Sequence, residues 1–237
     1  MRIEGITLKG ISVYDLQIVT ENLVLNLDAA GYSGSGNWLD TSGNSNDAVL
    51  QGTPAWNSAN GGYFDLVPGD GDWFSVADAN SLDTMSEITI ETWINLDTVN
   101  AAGPNMLFSK RATTSDGYVG FLTTTGYTYR FGTGTGTGLT YSTTPTTGAW
   151  QQVVATIGTS GSALYINGTS VTTSVYTGTP ANVPQAAALD LYQVNPRPQS
   201  GPVTLDGKVS IFRIYSGVLS APQVAQNFNA IKDRYGL

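Results

Sequence analysis

Apolar residues recur along the chain in short runs separated by turn formers. The runs are LVLNL (23–27), YFDL (63–66), WFSVA (73–77), EITIETWINL (87–96), NMLFS (105–109), YVGFLT (118–123), YTYRF (127–131), WQQVVATI (150–157), ALYING (163–168), LDLYQV (189–194) and KVSIFRIY (208–215). Between them stand SGN, PGDG, SDG, TGTGTG, NG and SG, the positive-φ and Asx-turn chemistry that chain reversals need. The pattern predicts an antiparallel, many-stranded domain of roughly thirteen short strands. Period-two alternation assigns faces. Ile88, Ile90 and Ile94 point one way while Glu87, Thr89, Glu91 and Trp93 point the other; Val209, Ile211 and Arg213 oppose Phe212 and Ile214. Both runs read as strands of two packed sheets.

Only the C-terminus has helical periodicity. Ser220 is a suitable N-cap, Pro222 is tolerated in the first turn, and Gln223 completes a Ser-x-x-Gln capping box. Val224, Phe228 and Ile231 then form an i, i+4, i+7 stripe, Lys232 and Arg234 sit in the last turn, and Gly236 offers a stop. A helix is expected over about 221–234. Residues 1–22 alternate only in short pieces broken at Gly10, so they read as an edge strand or as an arm that pairs with another subunit. The domain is then 23–237.

Composition removes several chemistries. The 237 residues hold no Cys and no His, which excludes disulfides, thiolate nucleophiles, Ser-His-Asp catalysis and His-ligated metals. Gly, Thr, Ser and Asn together number 94, as a turn-rich β domain requires. Charge is uneven: residues 1–109 carry 14 acidic and 2 basic groups, whereas 110–237 carry 4 acidic and 8 basic. No clustered Lys or Arg is present to neutralise phosphates, so neither nucleic acid nor an anionic membrane surface is expected as a partner, and the short apolar runs make no membrane insertion expected either. No long apolar run approaches a membrane span, and the N-terminus lacks the apolar core of a signal peptide.

Taken in order, several stretches resemble the concanavalin A-like lectin/glucanase superfamily, specifically its laminin-G-like branch. They are LVLNLDA (23–29), WLDTSGNSNDAVL (38–50), YFDLVPGDGDWFSV (63–76), ITIETWINL (88–96), NMLFSK (105–110), WQQVVATI (150–157), LYINGTSV (164–171) and LDGKVSIFRIYSGVLSAPQVAQNF (205–228). The resemblance implies an all-β, two-sheet antiparallel jelly-roll sandwich with one C-terminal α-helix and a concave face, usually non-enzymatic and used in adhesion, glycan binding or assembly. The stretches 18–29 (IVTENLVLNLDA) and 230–237 (AIKDRYGL) are also similar to versions in structural proteins of tailed-phage particles.

Three kinds of site remain to be weighed. Glucanases of the superfamily carry acidic residues at alternate positions of one strand, and Glu87-Ile-Thr-Ile-Glu91 is the nearest string. Positions i and i+4 of a strand lie about 13 Å apart, beyond the ~5–9.5 Å of a glycosidase pair. Both glutamates therefore read as solvating an exposed strand face, and no catalytic residue is expected. The loops around Asp40, Asn44, Asn46 and Asp47 and around Asp70 and Asp72 are oxygen-rich. They are either Asx turns or a Ca²⁺ site, best placed at Asp70 and Asp72; no other cofactor is expected. Glycans are gripped by aromatic faces beside Asn, Asp and backbone groups, which singles out Trp38, Trp56 and Trp73 near turns and Tyr127, Tyr129 and Tyr141 around the GTGTGTG segment. For any one of them a place in the core is the favoured reading, as Trp93 and Trp150 are expected to have.

The expected function is that of a non-enzymatic virion structural protein: a head decoration, neck or fibre component displaying a lectin-like domain for assembly or adhesion. Its partners would be other virion proteins, copies of itself, or a host-surface glycan. A free carbohydrate-binding module or lectin is the alternative.

Overall fold

The computed structural model describes residues 17–68, 70–83, 85–101, 103–112, 117–131, 138–159, 161–171, 186–193 and 205–237. The proposed arm lies outside these residues except for 17–22, as does most of the GTGTGTG segment.

Two antiparallel sheets face one another. The eight-stranded sheet contains β1 (Leu23–Asp28), β3 (Ala55–Asn57), β4 (Tyr63–Leu66), β6 (Ile88–Thr98), β11 (Trp150–Gly158), β12 (Gly161–Ile166), β13 (Thr169–Val171) and β15 (Asp206–Tyr215), in the order β13-β12-β11-β6-β15-β4-β3. β1 pairs with β15 beyond the point where β4 leaves it: β4 takes Gly207–Val209, and β1 takes Ile211–Tyr215. The seven-stranded sheet contains β2 (Ala48–Gln51), β5 (Trp73–Val76), β7 (Asn105–Lys110), β8 (Tyr118–Thr123), β9 (Gly126–Phe131), β10 (Leu139–Tyr141) and β14 (Leu189–Leu191), ordered β10-β9-β8-β7-β14-β5-β2. All the expected runs form strands. The additions, β2, β3, β10 and β13, are edge strands of three or four residues, too short to display a period.

The core lies between the sheets. Ile88, Ile90, Ile94, Val153, Ala155, Ile157, Phe212 and Ile214 face Phe74, Val76, Leu107, Phe108, Tyr118, Leu122, Tyr129 and Leu191 across it. One face assignment changes. The partner register slips between Val209 and Ile211, leaving Ser210 as the extra residue of a bulge. A bulge inverts the alternation downstream, so Val209 joins Phe212 and Ile214 in the core instead of siding with Ile211 and Arg213.

The helix α1 (Ala221–Ile231) begins as expected, with Ser220 N–H donating to Gln223 Oε1 at 2.8 Å. It ends three residues early. A 3-10 turn over Lys232–Tyr235 tightens the last residues, and Gly236 closes it in a left-handed conformation (φ 70°). The helix lies on the outer face of the eight-stranded sheet. There Phe228, Ile231 and Tyr235 meet Trp93 and Ile211, while Val224 joins Val19, Val154, Tyr165, Tyr215 and Leu219. The β12–β13 turn fits beneath it: Asn167 and Gly168 both take positive φ, and a side chain at 168 would press on the Phe228 ring. Arg234 anchors the chain end by a two-pronged contact to Asp28 (2.8 and 2.9 Å).

Candidate functional site

Glu91, from the string nearest to a glucanase's, lies on the outer face of a central strand. It is fully buried, not solvating an exposed face as its sequence setting predicts. The reason is α1, whose apolar stripe needs a sheet face and takes this one. Glu91 Oε1 accepts from Trp93 Nε1 (3.0 Å), Gln152 Nε2 (2.9 Å) and Arg213 Nη1 (3.1 Å), and Oε2 accepts from Asn227 Nδ2 (2.8 Å). Arg213 is anchored in turn by Nε donating to Asn26 Oδ1 (2.7 Å). Trp93 roofs the cluster, its ring stacked on Tyr235 (4.7 Å between centroids) and Phe228 (5.8 Å). A carboxylate with four donors under a helix is a structural anion, with no approach for a glycosidic oxygen. Glu87 is half-buried, its carboxylate accepting from Thr159 N–H and Oγ1–H, both at 3.1 Å.

Gln152, Arg213 and Asn227 were not singled out by sequence reasoning. Asn227 left a signal: positions 224, 227, 228 and 231 together complete the i, i+3, i+4, i+7 stripe, so an amide stands where the helix faces the sheet. Gln152 and Arg213 left none, because their partners are 61 and 122 residues away.

The six aromatic candidates do not converge. Trp38, Tyr127, Tyr129 and Tyr141 are core residues, each exposed by 1% or less. Trp38 packs between Phe64 and Phe74, because the 38–48 bridge turns it inward. The three tyrosines alternate inward on β9 and β10, and burial pushes their hydroxyls well above the ordinary phenol range. None of these four presents a ring to a sugar. Trp56 is half-buried, its indole N–H donating to Ala29 O (3.2 Å), and Trp73 is half-buried on the outer face of the seven-stranded sheet.

The acidic loops hold backbone. Asp40 accepts from the amides of Asn26 (2.8 Å), Ser42 (2.9 Å) and Asn46 (2.9 Å), and Asp47 accepts from Asp40 N–H (2.8 Å). Asp72 is buried and accepts from Thr53 N–H (2.8 Å), whereas Asp70 is exposed. Among the described residues no group of three or more acidic side chains is assembled for a metal.

Among the described residues, a concave feature opens on the surface at the end of β7 and β8. It is a groove of about 390 Å³ lined by Asn100, Ala101, Gly103, Pro104, Phe121, Thr123 and Thr124. Buried Asn105 shapes its wall: Oδ1 accepts from Asn100 N–H (2.9 Å), while Nδ2 donates to Asn100 O (3.1 Å) and Leu122 O (3.4 Å). Phe121 projects outward because Tyr118, Gly120 and Leu122 alternate inward on β8. From neighbouring β9, the Arg130 guanidinium stands 5.8 Å from the Phe121 ring centre.

Family comparison matches this architecture. The family model for laminin G-type domains of the concanavalin A-like lectin/glucanases superfamily matches residues 68–225, and the chain belongs to that family. A search of curated proteins finds no match. Among solved structures, botulinum neurotoxin type C superposes with a TM-score of 0.72 at 14% identity, over 90% of this chain and 52% of the toxin chain. The botulinum neurotoxin DC binding domain in complex with rat synaptotagmin II gives 0.70 at 13%, over 90% and 52%. The binding domain of Paraclostridial Mosquitocidal Protein 1 gives 0.69 at 17%, over 89% and 52%. The chain spans about half the length of these structures, and at such identities the likeness is one of fold.

Proposed function

We propose that this domain is a non-catalytic, lectin-like binding module. The observation that carries the reading is the state of Glu91: the carboxylate whose strand string comes nearest to a glucanase's is held by four donors and sealed by α1. Support comes also from the neighbours. Botulinum neurotoxin type C is described as entering cells in dependence on interaction with two ganglioside molecules, and a botulinum DC binding domain was solved with a sialyl ligand. A panel of immobilised glycans tests the reading together with a reducing-sugar assay on soluble β-glucans. Binding without sugar release is expected; turnover of any glucan by the intact chain would overturn it.

A particle setting extends this reading. The two stretches whose sequence resembles phage structural proteins, 18–29 and 230–237, lie far apart in sequence yet pack together, through Arg234 on Asp28 and through Ile18 against the cluster that holds Ile231. That resemblance, taken with this packing, supports reading the chain as a tailed-phage virion protein displaying the domain for assembly or adhesion. Mass spectrometry of purified particles from the source should recover the chain at fixed stoichiometry. Its recovery only among soluble host proteins would remove the particle reading and leave the binding one.

A further inference from the structure

We propose that the Phe121 groove is a binding site for a carboxylate-bearing sugar, with Phe121 as its stacking platform and Arg130 as its anion clamp. The inference rests on the lectin-like reading and specifies where and what the domain binds. The volume, about 390 Å³, lies toward the small end of the ~300–1,000 Å³ typical of ligand sites and suits one or two sugar rings rather than a polymer cleft. Phe121 is the outward aromatic of that groove. Its negative ring face, which carries the Arg130 guanidinium from outside the groove's lining, would attract the polarised C–H bonds of a pyranose as the guanidinium turns to the sugar's carboxylate.

Selectivity for an acid follows from charge. Arg130 belongs to a chain of net charge −8 in which residues 10–109 contain no Lys or Arg. Arg130 reaches Phe121 from the neighbouring strand, whereas Arg111 lies at the other end of β7, so Arg130 is the cation nearest the ring among the described residues. A guanidinium beside an aromatic offers a planar fork that matches a carboxylate in two hydrogen bonds. Thr123 and exposed Thr124 and Asn100 line the groove with polar groups suited to sugar hydroxyls. A neutral sugar would satisfy the platform and leave the cation without a partner. An acidic one satisfies both.

The groove is also preformed. Asn105 is buried and clamps the Asn100 end of the loop to β8, so little ordering is lost on binding.

Titration calorimetry of the full chain with tri-galacturonate and with sialyllactose, against galactotriose and lactose, tests the assignment. At least one acidic probe should bind about tenfold or more tightly than its neutral counterpart, and which one does so separates uronic from sialic sources. Phe121→Ala should abolish that binding, and Arg130→Gln should remove the preference for acid; both side chains are partly exposed, so thermal unfolding should stay close to that of the parent. Equal binding of acidic and neutral probes would overturn the anion clamp while the lectin-like reading stands. Binding untouched by Phe121→Ala but lost in Trp56→Ala or Trp73→Ala would move the site elsewhere. No binding to these four probes, with binding to other glycans on the panel, overturns the inference alone; no binding to any glycan overturns both.

Discussion

Asn227 on the helix donates to Glu91 Oε2 at 2.8 Å while its own Oδ1 accepts the Val19 amide at 2.8 Å, so one side chain ties the central strand, the helix and the segment before β1. The same amide nitrogen contacts Tyr215 OH at 2.9 Å. Asn227→Ala leaves a buried amide and a buried carboxylate oxygen each short of a partner, at about 1–3 kcal/mol per unsatisfied group. Hydrogen exchange should show the Val19 amide losing protection more than the amides at the middle of β6.

Glu91 and Arg213 form a buried pair whose members cannot be removed singly. Glu91→Gln leaves Arg213 facing a neutral amide, with Asp28 at 3.9 Å as its remaining carboxylate, and about 3 kcal/mol should be lost. The cooperative melt should then fall by about 10 °C. In Glu91→Leu/Arg213→Met the stranded charge is gone, so the double variant should melt above Arg213→Met alone. A double variant no more stable than that single one would contradict the pairing.

Gly120 is required by its neighbours rather than by its backbone. A methyl group there would be driven into the Phe108 ring and against Tyr129, both fully buried. Gly120→Ala should cost about 1–3 kcal/mol in urea unfolding, through overpacking alone. Gly71→Ala in a surface turn meets no atom and should cost less, limited to the strain of its positive φ.

Two aspartates should give pH dependence of opposite sign. Burial raises the Asp190 carboxyl above its ordinary value, partly opposed by a hydrogen bond from Ser75. The folded state then holds a proton that the unfolded chain has released, so this group's contribution worsens as pH rises through the range just above the ordinary carboxylate value. Asp190→Asn should therefore gain stability relative to the parent between about pH 4 and about pH 7. Asp78 is the reverse case. A hydrogen bond from Lys110 lowers its carboxyl, giving stability that is present above the ordinary value and is lost as pH falls through the lowered one. Asp78→Asn should lose stability relative to the parent at neutral pH and converge with it in acid. Denaturant midpoints across pH check both.

The sandwich was legible because alternation and turn chemistry act locally, residue against neighbour. The helix was legible for the same reason, through Ser220, Gln223 and the 224–228–231 stripe. What could not be read was how these pieces cover one another. Glu91 looked solvated because nothing near residue 91 says that a helix 130 residues later will lie over it. Val209 was assigned to the wrong face because the bulge at Ser210 depends on partners in β6, not on its own neighbours. The tyrosines flanking the glycine-rich segment suggested a binding loop, yet β9 and β10 continue the sheet and turn all three inward. Nothing in the run 118–123 marks Phe121 apart from Tyr118 as a groove residue; the Asn100–Asn105 loop beside it makes the concavity.

The Glu91 cluster also sets a timetable. Its members come from the segment before β1, from the four strands β1, β6, β11 and β15, and from the helix, and the Val19–Asn227 hydrogen bond spans 208 positions. Closing such contacts demands loop ordering before any reward, the condition that slows folding. On a ribosome, β6 and β11 emerge long before Arg213 and Asn227, so Glu91 and Gln152 wait with their polar groups in water. The outer layer therefore locks last, and the chain should acquire resistance to proteolysis only once residue 227 is free to dock, in a single late step rather than strand by strand.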